Sequence, residues 1–265
     1  MEQANPTGLD AYKPAEIAAK VAVAGVAKAN LAFVPLFTLA CLAGAFIAFG
    51  GLGYTVAMTG LDPAVGANRF LGGMVFSLGL ILVIVGGAEL FTGNALMVMA
   101  VMDRKVTWWQ LGRNWLIVYF GNFCGALVLV MLVWLAGILN GPSGTTAIAI
   151  ATGKASHGFV ELFFRGLLCN VLVCLAVWLT LACRTVTGKI FAILWPISTF
   201  VALGLEHSVA NMFLIPQSWA AGGEVDLAKF AGNLIPVTLG NIVGGAGGVA
   251  LAYRLAYGGQ AASAP

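Results

Sequence analysis

The stretch GGAELFTGN at residues 86–94 interrupts a long apolar segment of this 265-residue chain with glycines, a glutamate and an asparagine. A second stretch, GLEHSVAN at residues 204–211, interrupts another apolar segment in the same way. In each stretch a glutamate precedes an asparagine by five residues, and the two glutamates, Glu89 and Glu206, lie 117 positions apart. These matched interruptions indicate that the chain contains an internal repeat.

A second motif is repeated at almost the same distance. The pattern Gly-Asn-x-x-Gly occurs at residues 121–125 and again at 240–244, 119 positions later. Small residues let helices approach closely, and asparagine can hydrogen-bond across such a contact, so we expect helix packing at both places. The offsets predict two halves at about 31–139 and 155–257. Each half contains three apolar segments, an odd number, so the halves have opposite orientations in a membrane.

The composition is that of a membrane protein. Hydrophobic residues make up 60% of the chain and charged residues 9%, whereas soluble domains carry about 25% charged residues. About 20 apolar residues suffice for a helix to cross a bilayer. The sequence therefore predicts an all-α six-span bundle of two inverted three-span repeats, with spans two and five broken. The predicted spans cover approximately residues 36–58, 70–101, 109–139, 159–183, 189–216 and 234–256.

Basic residues are distributed unequally between the two sides. If the spans alternate, nine lysines and arginines lie on the side of the termini and three on the other side. The positive-inside rule then predicts that both termini are cytoplasmic. Residues 1–30 are expected to form a cytoplasmic amphipathic segment with an interfacial helix at about 14–28, and 258–265 a cytoplasmic tail. The net charge of +3 is scattered over loops, which does not indicate nucleic-acid binding.

Interrupted spans at matching positions of an inverted repeat are typical of a transport site near the membrane midplane. Irregular backbone is not tolerated against lipid, so both breaks must face protein or a watery cavity. The helical segments after the breaks would point N–H groups and positive dipole ends toward that cavity, which favours anions. We therefore expect the chain to pass a small monovalent anion.

Several ionisable residues lie within the predicted spans, where a charge at a helix centre costs at least ~2.5–3.5 kcal/mol and marks a functional candidate. We expect the carboxylates of Glu89 and Glu206 to support the broken helices by accepting hydrogen bonds from backbone N–H groups without helical partners. Glu161 and Arg165 lie four residues apart in span four. They are predicted to form a structural ion pair.

His207 is the main candidate for chemistry in the second break. Imidazole titrates near neutral pH, so His207 can hold a proton for an anion or transfer one to it. Thr92 occupies the equivalent break of the first half, where its hydroxyl can donate to an anion or accept from His207. Lys154 is predicted in the loop before span four, where it is either solvated or leans into a vestibule and raises the local anion concentration.

Two further function classes stay open on these residues. A membrane-embedded enzyme would use Glu89, Glu206 and His207 for acid–base chemistry, but the sequence contains no HExxH, Walker or GxSxG pattern. A channel for water or glycerol is the other class, and the paired Asn-Pro-Ala boxes of aquaporins are missing. The five cysteines show no metal-ligand clustering, and we expect neither a metal nor a cofactor.

Five motifs resemble the formate/nitrite transporter family: GAELFTGN, FGNFCGAL, LLCNVLVCLAVW, GLEHSVANMFLIP and NLIPVTLGNIVGGA. The resemblance runs from about Asn5 to Tyr257. It implies an aquaporin-like fold in a homopentamer, with one anion path in each protomer. It also implies the cytoplasmic (inner) membrane of a prokaryote, with membrane lipid, a small anion and protons as the partners of the chain.

The resemblance also implies roles for individual polar residues. His207 would be the central histidine of the family, with Glu206 and Asn211 in the same motif. Lys154 would be a vestibule lysine and Asn170 a channel asparagine. These assignments define an expected substrate path.

Apolar residues around the histidine are given roles by the same resemblance. The break in span two would carry Leu90, Phe91 and Thr92 on a mobile loop. The implied constrictions are Phe76 with Leu80 on one side of the histidine, and Leu90 with Phe200 on the other.

The substrate expected from the resemblance is formate, with nitrite as the alternative and hydrosulfide or lactate less favoured. NWLIVYFGN and ANMFLIP resemble the formate channels, whereas GAELFTG and LFFRGLLCN are similar to the nitrite members. Two mechanisms stay open. His207 either relays a proton, so that formic acid crosses the apolar constrictions, or it acts as a fixed electrostatic site past which bare anions flow.

Overall fold

Residues 10–258 are described by the structure, a computed structural model, and these residues form helices without any strand. A 3₁₀-helix, Gly93–Met97, lies between α4 and α5, and a π-helix, Val243–Leu251, lies between α12 and α13. The α-helices in chain order are α1 Pro14–Ala29, α2 Phe33–Met58, α3 Gly66–Phe76, α4 Leu78–Gly86, α5 Val98–Met102, α6 Trp108–Leu135, α7 Pro142–Ala155, α8 Phe159–Ala182, α9 Val186–Ala202, α10 Ser208–Leu214, α11 Pro216–Ala220, α12 Leu227–Ile242 and α13 Ala252–Tyr257.

The predicted six-span bundle is confirmed. Five described helical stretches are long and apolar enough to cross a membrane, and these are Phe33–Met58, Gly66–Gly86, Trp108–Leu135, Phe159–Ala182 and Leu227–Tyr257. The fifth span in chain order is the exception, because α9 has only 17 residues and stops at Ala202. The chain becomes helical again at Ser208. Spans two and five are therefore broken, as predicted.

Both breaks begin with a glycine that has a positive φ, +83° at Gly87 and +68° at Gly204. Glycine adopts this conformation without the steric penalty that other residues meet, which lets the chain turn sharply there. The N–H of the following residue, Ala88 or Leu205, donates to the carbonyl five residues earlier at 3.0 Å in both halves. The breaks are thus geometrically equivalent, as their 117-residue offset indicates.

The Gly-Asn-x-x-Gly motifs pack helices closely in both halves. A Cβ atom at Gly125 would lie 1.9 Å from the carbonyl oxygen of Cys41 on α2, and one at Gly244 would lie 2.0 Å from that of Leu167 on α8. Only glycine fits at such distances, so the packing interpretation of these motifs is confirmed.

The structure changes two predictions, the placement of Lys154 and that of the N-terminal helix. Lys154 is not in a loop, because α7 extends through Ala155 and places Lys154 in its last turn. The predicted N-terminal helix is present as α1, but it packs against the 3₁₀-helix, α5 and α8 instead of lying apart from the bundle. Residues 1–9 and 259–265, which include most of the predicted tail, lie outside the described residues.

Candidate functional site

His207 is held in one orientation by its own helix. It is the residue before α10, and its Nδ1 accepts a hydrogen bond from the backbone N–H of Ala210 at 3.0 Å. The residue is 3% exposed. Because Nδ1 acts as the acceptor, a neutral His207 ring carries its proton on Nε2.

Thr92 and His207 bring the two breaks together. The hydroxyl oxygen of Thr92 lies 2.8 Å from Nε2 of His207, although the residues are 115 positions apart. With the ring proton on Nε2, the imidazole donates and the Thr92 oxygen accepts. The Thr92 hydroxyl hydrogen is then available to another acceptor. The contact expected from the sequence exists, and its role in transport stays a prediction.

Asn170 joins this centre to the last span. Its amide nitrogen donates to the carbonyl of Thr92 at 3.2 Å and to the carbonyl of Asn241 at 2.6 Å. Asn170 is fully buried and does not line the large cavity described next. The structure therefore places Asn170 behind Thr92, where it fixes the backbone of the first break.

A cavity of about 430 Å³ leads from Lys154 to His207, and most of the residues lining it are apolar. Near His207 it is bordered by two aromatic rings, Phe76 and Phe200, whose centroids are 5.7 Å apart in an edge-on arrangement. The ring of Phe200 also stacks on that of His207 with centroids 6.0 Å apart. An anion that reaches the histidine from this side therefore meets two aromatic rings beside it.

This geometry corrects the expected pairing of the constrictions. Phe76 and Phe200 belong to the same side of the histidine, because they contact each other and line one cavity. Leu80 and Leu90 are buried in the protein core and do not line this cavity, so their part in a second constriction stays a prediction. Phe91 packs edge-on against Tyr119, with centroids 4.9 Å apart, and thus against α6.

Glu206 lies at the centre of a four-residue polar network on the cavity side. Its carboxylate accepts from Nζ of Lys154 at 2.9 Å and from the amide of Asn211 at 2.6 Å. The Asn211 amide also donates to Asn233 at 2.7 Å, and Asn233 donates to the carbonyl of Lys154 at 2.9 Å. The lysine side chain is 16% exposed. The network closes on itself and holds Lys154 over the break.

The same network recurs in the first half. Glu89 accepts from Nζ of Lys28 at 2.6 Å and from Asn94 at 2.8 Å. Asn94 also donates to Asn114 at 2.9 Å, and Asn114 donates to the carbonyl of Lys28 at 3.3 Å. A much smaller cavity, about 40 Å³, lies beside Lys28 and Gly93. Each half, taken with the helix that precedes it, therefore has one lysine and one carboxylate beside its break.

The free backbone groups of the breaks are bound by asparagines, which corrects the expected role of the two glutamates. Asn122 accepts from the N–H of Phe91 and Asn241 from that of Ser208, both at 2.9 Å. The same asparagines donate to the carbonyls of Glu89 and Glu206. A neutral amide can both donate and accept, whereas a carboxylate only accepts. In α10 the N–H groups of Ser208 and Ala210 are consequently bound by side chains instead of pointing into the cavity.

Comparison with known families agrees with this architecture. The profile described as formate/nitrite transporter matches residues 15–255 of the chain. The chain belongs to this family. The resemblance inferred from the motifs is thus confirmed.

Relatives in the formate/nitrite transporter family match the chain over nearly its full length. Formate channel FocA of Escherichia coli (strain K12) is 41% identical over 97% of this chain and 98% of the relative. A probable formate transporter of Methanothermobacter thermautotrophicus is 40% identical over 92% of this chain and 96% of the relative.

Solved structures of the formate/nitrite transporter family have the same fold. A pentameric formate channel with formate bound is 40% identical and covers 85% of this chain and 97% of its own, with a TM-score of 0.78. An FNT family ion channel is 33% identical and covers 91% of this chain and 98% of its own, with a TM-score of 0.85. The chain is therefore a multi-pass membrane protein with the aquaporin-like fold.

Five polar residues of this transporter's site were not identified as site residues by the sequence analysis, and they are Lys28, Asn114, Asn122, Asn233 and Asn241. The two asparagines of the Gly-Asn-x-x-Gly motifs carried a signal, because their 119-residue offset nearly equals that of the glutamates. Lys28 carried no such signal, because its counterpart Lys154 follows it by 126 positions, whereas the two glutamates are 117 positions apart. The connection between the lysine and the break differs in length between the halves, which hides the correspondence.

Proposed function

We propose that this chain passes formate across the membrane together with a proton, along the cavity from Lys154 to the Thr92–His207 pair. The observation that carries the proposal is that Lys154 and His207 both line the cavity, and that His207 is hydrogen-bonded to the buried Thr92 behind it. The relatives named as formate channels support formate as the substrate.

Lys154 makes the approach favourable to an anion without trapping it. Its ammonium group raises the local anion concentration at the mouth of the path. The carboxylate of Glu206 at 2.9 Å offsets most of that charge. A formate ion is attracted by the dipole of the Lys154–Glu206 pair. It does not form a strong ion pair of its own with Lys154, so it is released again easily.

The apolar border near His207 favours a neutral form of the substrate. A bare carboxylate that leaves water for an apolar passage loses hydration worth many kcal/mol, whereas formic acid loses far less. Phe76 and Phe200 form this passage on the Lys154 side. Formate that takes up a proton near His207 crosses more cheaply than the ion.

The hydrogen bonds of Thr92 and His207 suit this step. The Thr92 oxygen accepts from the ring, so its hydroxyl hydrogen can be donated to a formate oxygen. A doubly protonated ring has no acceptor left on Nδ1 and must release the N–H of Ala210. Proton uptake by His207 is thus coupled to loosening of the start of α10.

We test the proposal with radiolabelled formate uptake into proteoliposomes from about pH 5 to about pH 8, the range in which a free imidazole titrates. Uptake that rises with an inward proton gradient, and that nitrite, hydrosulfide and lactate suppress only weakly, supports formate transport. Absent formate uptake, with direct nitrite flux, makes this a nitrite channel instead. A His207→Ala or His207→Phe protein with wild-type pH dependence rules out the proton relay, and anion current without proton uptake supports the fixed electrostatic site.

The assembly and orientation of the chain are part of the same proposal. We infer a homopentamer in the cytoplasmic membrane with both termini inside, supported by the pentameric relative and by the basic residues on the terminal side. Large apolar side chains such as Trp134, Phe164 and Trp195 are more than half exposed in the single chain, as lipid or subunit contacts require. Native mass spectrometry that finds only monomers contradicts the pentamer.

A further inference from the structure

The two halves share several hydrogen bonds at the breaks, and one of these bonds ends on different residue types in the two halves. The N–H of Glu89 donates to the carbonyl of Leu39 at 3.2 Å, and the N–H of Glu206 donates to that of Arg165 at 3.4 Å. Leu39 and Arg165 lie 126 positions apart, the same separation as the two lysines. The backbone contact is therefore conserved between the halves, whereas the side chain is leucine in one and arginine in the other.

The arginine side chain reaches the first residue of the second break. One terminal nitrogen of Arg165 donates to the carbonyl of Gly204 at 2.8 Å, and the other lies 2.7 Å from the carboxylate of Glu161. The second oxygen of Glu161 lies 3.2 Å from Nδ1 of His157. In residues 10–258 no hydrogen-bond donor reaches the carbonyl of Gly87, the counterpart of Gly204.

The chemistry of arginine suits this double contact. Its planar guanidinium presents donors in a fixed fork and can hold two acceptors at once, which a lysine ammonium on a flexible stem does not do in a defined geometry. Hydrogen bonds from a charged donor are also stronger than those between neutral groups. Glu161 neutralises the arginine, so that the guanidinium stays beside Gly204 instead of moving out to water.

The position of the contact connects it to the histidine. Gly204 precedes His207 by three residues, and Gly204, Leu205, Glu206 and His207 all line the large cavity. A hydrogen bond that holds Gly204 therefore also limits the movement of the cavity wall that ends at His207.

We propose that Arg165, held by Glu161, is a positioning residue that fixes the second break and so the place of His207 in the path. The inference goes beyond a simple ion pair on α8, because the guanidinium acts on another span. The expected effect on formate flux rests on the proposed function. The effect of Arg165 on the second break does not, because it can be measured without any substrate.

The experiment compares hydrogen–deuterium exchange of the intact protein in nanodiscs for wild type, Arg165→Leu, Arg165→Lys and Glu161→Gln. Loss of a charge-assisted hydrogen bond is expected to raise amide exchange in residues 203–207 about tenfold in Arg165→Leu. Residues 87–91 serve as the internal control and keep wild-type exchange, because the first break contacts Leu39 where the second contacts Arg165. Arg165→Lys is expected to behave like Arg165→Leu, and Glu161→Gln to give a smaller increase in the same residues.

The flux assay supplies the second readout. Formate uptake by Arg165→Leu and Arg165→Lys is expected to fall several-fold at saturating formate, because His207 is less well placed. Unchanged exchange in residues 203–207 of Arg165→Leu overturns the proposal. Wild-type exchange in Arg165→Lys also overturns it, because a positive charge alone is then sufficient. If Arg165→Leu does not fold, Arg165→Lys and Glu161→Gln decide the question. Wild-type protein without formate uptake contradicts the proposed function and leaves the exchange result standing.

Discussion

Replacement of Thr92 by valine removes one hydroxyl from the centre of the proposed path and changes the side-chain shape little. The threonine oxygen accepts from His207 at 2.8 Å, and both residues are 3% exposed or less. In Thr92→Val the ring N–H has no partner and the substrate loses its donor. We therefore expect a folded protein with strongly reduced formate uptake.

The magnitude follows from the lost hydrogen bonds. A hydrogen bond to a charged group contributes about 1.5–3 kcal/mol, which corresponds to about a tenfold to a hundredfold lower rate if formate is bound through it as it crosses. The unpaired donor of His207 destabilises the protein by about 1–3 kcal/mol as well, so the melting temperature is expected to fall by a few degrees.

Initial rates of radiolabelled formate uptake into proteoliposomes, measured at several pH values, test this expectation. Thr92→Ser keeps the hydroxyl and is the matched control, with uptake within a few-fold of wild type. A Thr92→Val protein with wild-type uptake refutes the reasoning, and so does a Thr92→Ser protein as impaired as Thr92→Val. If the two residues act as a unit, the double variant Thr92→Val with His207→Phe is no slower than His207→Phe alone.

Three further substitutions and one control substitution test the scaffold and the approach to the site. Asn241→Leu leaves the buried N–H of Ser208 without an acceptor, so we expect destabilisation of about 1–3 kcal/mol or more in thermal unfolding. Gly244→Ala places a methyl group 2.0 Å from a backbone oxygen and is expected to lower the yield of folded protein sharply. Gly112→Ala, whose Cβ would meet nothing within 4 Å beyond its own stretch of helix, is expected to be neutral or slightly stabilising. Lys154→Met removes the partner of a buried carboxylate, so we expect roughly 3–5 kcal/mol of destabilisation and a higher formate concentration for half-maximal uptake. Wild-type unfolding curves and uptake rates in Asn241→Leu, Gly244→Ala or Lys154→Met contradict these expectations, and so does a destabilised Gly112→Ala protein.

The sequence determined the features that depend on local pattern and composition. Apolar segments of about 20 residues predicted the spans, because backbone groups in lipid must be bonded within a helix. The repeated Glu-to-Asn spacing around residues 89 and 206 predicted two equivalent breaks, and both begin at a glycine with positive φ. Thr92 and His207 were identified as candidates because each is a polar residue within a break.

The tertiary structure alone decided which polar groups satisfy one another. Lys28 and Lys154 each bind the glutamate of their own half, and the lengths of the intervening segments differ, so no fixed offset relates all four residues. Asn241 is 35 positions from Glu206 in sequence, yet it binds the break because glycine contacts bring the last span against α8. Hydropathy and spacing describe single helices, whereas these hydrogen bonds depend on how closely two helices approach. That approach is set by packing between distant segments, which the order of residues along the chain does not display.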